Sequence, residues 1–221
     1  MNTEPAHLPP SAAAYTRLAL PLYDAWVLRI STPLAWGCSL NALRGLYAEN
    51  RSSDHVEVGV GTGFFLNTRA PTAAKRALTL VDMSPSALEY TAARLRTQEP
   101  VRHEGDVLNR DTLPRRQFDS VGANFLLHCL PGPMSSKAAA VENLAALTAH
   151  DGTTFGATVL NSGHWPLGKL LMRLYNQTGV FGNSNDTEME LRQLLEASFQ
   201  DVEVERRGSV AIFRASRPVR S

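Results

Sequence analysis

Three glycines at alternate positions are the clearest chemical signature in the sequence. In E-V-G-V-G-T-G, residues 57–63, a β-branched run stops and Gly59, Gly61 and Gly63 follow. Glycine opens backbone angles closed to other residues and lets a ligand approach the main chain. A tight turn after a strand needs one glycine, so three point to a ligand-binding turn. Dinucleotide-binding dehydrogenases use G-x-G-x-x-G over a pyrophosphate. The spacing here is G-x-G-x-G, which disfavours a pyrophosphate and favours a nucleoside. Asp82 closes the next apolar run, 21 residues after Gly61. An acidic side chain at that strand end can accept both ribose hydroxyls. Its alternative role is to cap the next helix, for which Ser84 competes. Gly105-Asp106 follows a third strand-like run, and a carboxylate there could accept from an adenine amino group. G-D is a common turn, so that assignment rests on the first two.

Strand ends must carry these groups. H-V-E-V-G-V from His55 and L-T-L-V-D (78–82) are short strands. S-P-S-A-L-E-Y-T-A-A-R-L-R (84–96) is a helix with Ser84 as N-cap and Pro85 at its first position. Strand-like runs recur near 101–104, 118–125, 153–160, 201–206 and 209–215, with helices over 135–149 and 186–198. Alternation of this kind predicts a parallel sheet covered on both faces. The last two runs are separated only by Arg207 and Gly208, a turn short enough to join only antiparallel neighbours. Upstream, residues 13–50 look helical through Leu18, Leu22, Trp26 and Ile30, broken at Pro21 and Pro33, with a second helix from Ser39 to about Glu49. Residues 1–12 read as a mobile tail without signal-peptide character.

The chain has 221 residues, enough for one α/β domain, and 43% of them are hydrophobic. Its 22 basic and 21 acidic residues are dispersed, with only Arg110, Arg115 and Arg116 clustered. A protein that grips a nucleic-acid backbone usually carries a basic face, so charge balance argues against nucleic acid. No apolar run reaches the roughly 18 to 20 residues that span a bilayer. Two cysteines, Cys38 and Cys129, are expected as free thiols in a reducing cytoplasm. No His, Cys and carboxylate cluster has zinc-site spacing, so no metal is expected.

The ordered motifs E-x-G-x-G-x-G, V-D-M-S-P-S-A-L, G-D and F-D-S-V-G-A-N-F-L-L-H-C-L, over about 55–160, resemble those of class I S-adenosylmethionine-dependent methyltransferases, especially the small-molecule enzymes of bacterial and fungal metabolism. The resemblance implies a Rossmann-like, seven-stranded, mostly parallel sheet with the last strand antiparallel, consistent with the hairpin. It implies that Glu57, Gly59, Gly61 and Gly63 form the turn under the methionine and ribose parts of S-adenosylmethionine. Asp82 would hold the ribose, Met83 would pack on adenine, and Asp106 with Val107 would face the adenine. Residues 13–50 resemble the family's helical lid, ahead of a core over 51–221.

Ligands of open α/β sheets bind at the carboxyl ends of the strands. Three segments should converge there. In A-N-F-L-L-H-C-L-P-G (123–132), Asn124 and Phe125 are candidates for the cofactor wall, and His128 is the candidate general base, since imidazole titrates near neutral pH. The alternative for His128 is a packed ring. In the amino-terminal part, Tyr23 is assigned to the cofactor and Tyr15, Trp26 and Trp36 to the substrate pocket. The third segment, 161–185, is an insertion longer than a minimal connection, and such insertions are often binding lids. His164, Trp165, Tyr175, Asn176 and Phe181 are its pocket candidates, while Leu167, Leu170, Leu171 and Leu174 form an apolar stripe expected to pack. Methyl transfer needs alignment above all, so no obligatory catalytic residue can be read from the sequence. N-F-L-L stands where base-amine methyltransferases carry an acidic or amide residue, two prolines and an aromatic, and Cys129 follows His128 rather than a proline. Both points disfavour methylation of nucleic-acid bases. The expected activity is methylation of a small molecule, preferentially on oxygen, by a monomer or homodimer. The alternatives are a nicotinamide-dependent oxidoreductase and a non-catalytic nucleoside-binding module.

Overall fold

The protein is described by a computed structural model over residues 35–67 and 77–220. The expected tail, the lid helices before residue 35, and with them Tyr15, Tyr23 and Trp26, lie outside the described residues. The chain runs through α1 (Leu40–Asn50), β1 (Asp54–Val58), β2 (Ala77–Asp82), α2 (Pro85–Arg94), β3 (Val101–Glu104), β4 (Phe118–Asn124), α3 (Ala138–Leu147) and β5 (Thr148–Val159). It continues through α4 (Pro166–Gln177), α5 (Glu188–Ser198), β6 (Phe199–Arg207) and β7 (Val210–Pro218).

The seven strands form one sheet in the order β3-β2-β1-β4-β5-β7-β6. β1 pairs in parallel with β2 and β4, β2 with β3, and β4 with β5. β7 runs against both β5 and β6, so the reversed strand is the last in sequence but lies inside the sheet edge. The central strands are buried on both faces: β2 reads as a short apolar run, whereas β1 buries His55 and Glu57 beside Val56 and Val58. One face packs on α3 and α5 through Leu144, Leu191 and Leu195 with Val121 and Phe213. The other packs on α1, α2 and α4 through Leu43, Leu88 and Met172 with Leu80 and Phe155.

The helix starts follow from local chemistry. Ser39 accepts the Ala42 amide at 3.2 Å and Ser84 the Ala87 amide at 3.3 Å, with Pro85 opening α2. Thr187 and Glu190 form a reciprocal capping box on α5. Several element boundaries, and the packing of one apolar stripe, differ from the sequence reading. The helix expected over 135–149 ends at Leu147, after a 3₁₀ turn at Met134–Lys137, because Thr148 already pairs with Phe118 and so starts β5 early. The leucine stripe does not pack as expected: only Leu171 is buried, while Leu167, Leu170 and Leu174 are exposed on the outer side of α4. The residues that bury α4 are Gly168, Leu171 and Met172, and at Gly168 an added Cβ would stand 2.4 Å from the Ala35 carbonyl. Among the described residues no helix is long and apolar enough to cross a membrane.

Candidate functional site

The strand order changes direction between β1 and β4, and a crevice opens there at the carboxyl ends of the strands. The glycine turn after β1 forms its floor. Gly59 donates to the Val81 carbonyl at 2.8 Å and Gly63 to that of Val60 at 2.9 Å. Gly59, Gly61 and Gly63 hold φ values of 73, 50 and 64°, in the left-handed region. Two of them are also forced by packing. A Cβ on Gly59 would stand 2.8 Å from Leu126 Cδ1, and one on Gly63 2.5 Å from Thr91 Cγ2. α2 braces the turn from the other side, where the Thr91 hydroxyl donates to the Gly61 carbonyl at 3.0 Å and Arg94 to that of Thr62 at 3.2 Å. The turn, with Phe64, Phe65, Asn124 and Phe125, lines an open hollow.

Asp82, Asn124 and Glu57 are polar side chains at the turn. Asp82, at the end of β2, accepts the Ser84 amide at 2.8 Å. Burial pushes its carboxyl up to about 6, against the backbone amides of Ser84, Gly61, Val60 and Met83, which favour the anion. Asn124 ends β4, is 9% exposed and lines the hollow, and its Oδ1 is buried with no hydrogen-bond partner. The next residue, Phe125, has a φ of 57°, an uncommon backbone state for a bulky side chain, held by a 2.7 Å bond from its amide to the Ala157 carbonyl. Glu57 borders the hollow, but both its oxygens are engaged from within. The Tyr47 hydroxyl donates to Oε1 at 2.5 Å, and His55 Nε2 lies 3.1 Å from Oε2. Burial lowers the His55 pKa, so the neutral ring donates Nε2–H to Glu57 and accepts the Ser120 hydroxyl at 2.8 Å through Nδ1. Gly122 makes room for this pair, since a Cβ there would stand 2.2 Å from Glu57 Oε2.

Asp106 lies past the end of β3, where its carboxylate accepts the Leu108 amide at 2.9 Å. Met83 is half-buried after β2. Val107 is buried in the core, and its carbonyl accepts from Asn143 at 2.8 Å.

Beyond Phe125, which lines the hollow, the packing is aromatic. His128 lies 5.7 Å from Phe125 and 4.4 Å from Phe181, ring centre to ring centre, and Phe181 lies 4.9 Å from Tyr175 and 6.0 Å from Trp36. Trp36 in turn meets His164 edge-on at 5.6 Å. The insertion therefore brings Phe181 against the segment that follows β4, with Tyr175 behind Phe181 and His164 against Trp36. The expectation that His128 titrates near neutrality fails here. It is 3% exposed, its Nδ1 accepts the Val159 amide at 3.3 Å, and burial with the nearby Lys137 charge pushes its pKa down to about 3. His128 is a neutral packed ring, the alternative weighed for it above. Asn176 does not present its amide to the crevice, because the group bonds Met172, Asn183 and Ser184. Trp165 is 64% exposed at the start of α4 and turns away from the wall.

Sequence reasoning missed Tyr47, Phe64 and Phe65. The two phenylalanines directly after the third glycine were the available signal. Tyr47 had none, because its partner Glu57 is reached only by folding α1 onto β1. Cys38 and Cys129 are free, and burial pushes their thiols up to about 11 and about 12. Among the described residues no group of His, Cys, Asp and Glu could hold a metal.

Comparison with known proteins agrees with this geometry. Residues 56–154 match a family model described as a methyltransferase domain. The chain is 39% identical over 206 residues to demethylluteothin O-methyltransferase of Streptomyces thioluteus, covering 92% of this chain and 89% of that protein. It is 38% identical over 213 residues to the physcion biosynthesis cluster O-methyltransferase of Aspergillus chevalieri, covering 93% and 94%. Among solved structures, a DhpI complex with S-adenosylhomocysteine aligns with a TM-score of 0.64 at 17% identity, over 96% of this chain and 97% of that one, which shows the shared fold. These matches overturn the oxidoreductase alternative, as the glycine spacing foreshadowed. With the glycine turn, the strand-end aspartate and the reversed seventh strand in place, the chain belongs to the class I S-adenosylmethionine-dependent methyltransferases.

Proposed function

We propose that this protein transfers a methyl group from S-adenosylmethionine to a hydroxyl oxygen of a small, flat, apolar metabolite in specialised metabolism. The observation that carries the reading is the unpartnered Asn124 Oδ1 in the glycine-turn hollow, next to an aromatic wall. The residues present fit the cofactor. A buried acceptor without a donor suits its ammonium group, and Asp82 at the neighbouring strand end suits two ribose hydroxyls. Gly59, Gly61 and Gly63 leave the main chain open to it, Glu57 would support the turn from beneath, and Met83, Asp106, Val107 and Phe125 would flank the adenine and methionine ends. When bound, the cofactor supplies a methyl already activated on a sulfonium. The chain's own contribution is alignment and exclusion of water. Asp82 and Asn124 fix one reactant, and Trp36, Tyr175 and Phe181 hold the ring of the other. His128 contributes a packed face and no proton transfer. The relatives named above are O-methyltransferases, which supports oxygen as acceptor. Balanced charge speaks against a nucleic-acid substrate, and two free cysteines suit a reducing cytoplasm.

The test is incubation with S-adenosylmethionine and a panel of fused-ring phenols, amines and thiols, followed by mass spectrometry. Phenols should gain one methyl and amines and thiols none. Binding of S-adenosylhomocysteine without turnover on any acceptor would instead favour the non-catalytic module.

A further inference from the structure

Among the described residues His164 is the one side chain with two buried polar atoms and a hydrogen-bond partner for neither. Both ring nitrogens are in this state. A buried polar group without a partner is costly, and any apolar ring would fill the same space without that cost. The position of His164 gives the orphaned nitrogens a meaning. Residues 161–164 leave the carboxyl end of β5, beside the end of β4 that carries Asn124 and Phe125. From Phe125, which lines the hollow, a series of packed rings runs through His128, Phe181 and the buried Trp36, and the half-buried His164 stands at its far end. Burial, helped by the positive charges of Arg206 and Lys169, lowers the His164 pKa and keeps the ring neutral. A neutral imidazole has one donor and one acceptor. That pair matches a hydroxyl or carbonyl and is a poor match for a carboxylate.

We propose that His164 is the polar anchor of the acceptor: it hydrogen-bonds a hydroxyl or carbonyl remote from the reacting oxygen and so determines which oxygen of a polyhydroxylated ring is methylated. This deepens the O-methylation reading and rests on it. His164 is a positioning residue here, since it holds the acceptor and does not touch the transferred methyl.

The experiment compares the wild type with His164→Phe and His164→Gln, using 2,7-dihydroxynaphthalene, which has a second hydroxyl for the anchor, and 2-naphthol, which lacks it. The wild type should prefer the diol in kcat/KM. In His164→Phe that preference should fall about tenfold, the worth of one net hydrogen bond. His164→Gln, which restores a donor and an acceptor, should recover part of it. A second measurement needs no acceptor. The thermal midpoint of His164→Phe should equal or exceed that of the wild type, because the substitution removes two unsatisfied nitrogens. An unchanged preference, or a clearly lower midpoint, overturns the anchor. If the wild type methylates neither probe, the reading as a methyltransferase of fused-ring phenols fails and the anchor falls with it, whereas methylation with an unchanged preference overturns the anchor alone.

Discussion

At the residue scale Asp82 combines two opposed pH dependences. Its folded-state pKa of about 6 lies above the ordinary 3.8, so the folded, ligand-free protein binds more protons than the unfolded chain between those values. The group's contribution to stability is therefore complete below about pH 4 and lost as pH rises through about 6. Cofactor affinity should run the other way, because the anion is the better acceptor for ribose hydroxyls. Calorimetry with S-adenosylhomocysteine between pH 5 and 8 should show affinity weakening as pH falls through about 6. Asp82→Asn should bind about ten- to a hundredfold more weakly at neutral pH and lose that slope. Equal affinity in the variant would make Asp82 a turn residue only. Cys129 offers a second check near the site: half-buried, with its thiol pushed up to about 12, it should react with a thiol reagent much more slowly in the folded protein than after unfolding. The anchors legible in the sequence were those set by spacing along the chain, such as Asp82 and the glycines. The burial of His128, to which Phe181 contributes from 53 residues away, lowers its pKa and leaves no local trace in the sequence.

At the element scale the question is what holds the insertion against the core. Lys137, in the turn before α3, is fully buried and pairs with the equally buried Asp186, while its Nζ also donates to the Gly182 carbonyl at 3.0 Å. Gly182 donates to the His128 carbonyl at 2.8 Å, and Asn183 to that of Val159 at 2.7 Å. These contacts press Phe181 onto His128 and so shape the aromatic wall. Lys137→Met would leave Asp186 buried without its cation, which typically costs about 3–5 kcal/mol. Urea denaturation should show that loss, and adding Asp186→Leu should return part of it but not all, because the Gly182 carbonyl stays unsatisfied. Full additivity of the two losses would mean that the residues do not act as a pair. On the cofactor side, Gly63→Ala meets both a left-handed φ and Thr91 Cγ2, so it should destabilise the fold by about 1–3 kcal/mol. Adding Thr91→Ser, which deletes that methyl, should relieve the steric share alone. Strands, caps and the final hairpin were legible because period, cap residues and turn length act locally. The outward leucines of α4 were not, since an apolar stripe does not state which side of the helix the core occupies.

At the scale of the whole molecule the site is divided by the switch in strand order. The β1-β2-β3 half carries the glycine turn, Asp82 and Asp106, all assigned to the cofactor. The β4-β5 half carries the aromatic wall and the insertion, assigned to the acceptor. Asn124 and Phe125, at the end of β4, stand at the border. Two ligands on two halves of one sheet should leave separate footprints in hydrogen exchange. S-adenosylhomocysteine alone should slow exchange over 59–66 and 105–108, the turns proposed above to hold the cofactor. Residues 164–182 should keep their ligand-free rates at that stage, because their contacts run to the wall. Adding 2,7-dihydroxynaphthalene to the complex should then slow 164–182, as the acceptor bridges His164 and the ring of Phe181 and water leaves the crevice. The strands β1, β4 and β5 serve as internal reference, since they are buried on both faces and should exchange only by global opening. If the cofactor product alone protects 164–182 as strongly as the pair of ligands does, the insertion responds to the cofactor. The acceptor would then have to be recognised elsewhere in the crevice, and the assignment of the two halves would be wrong.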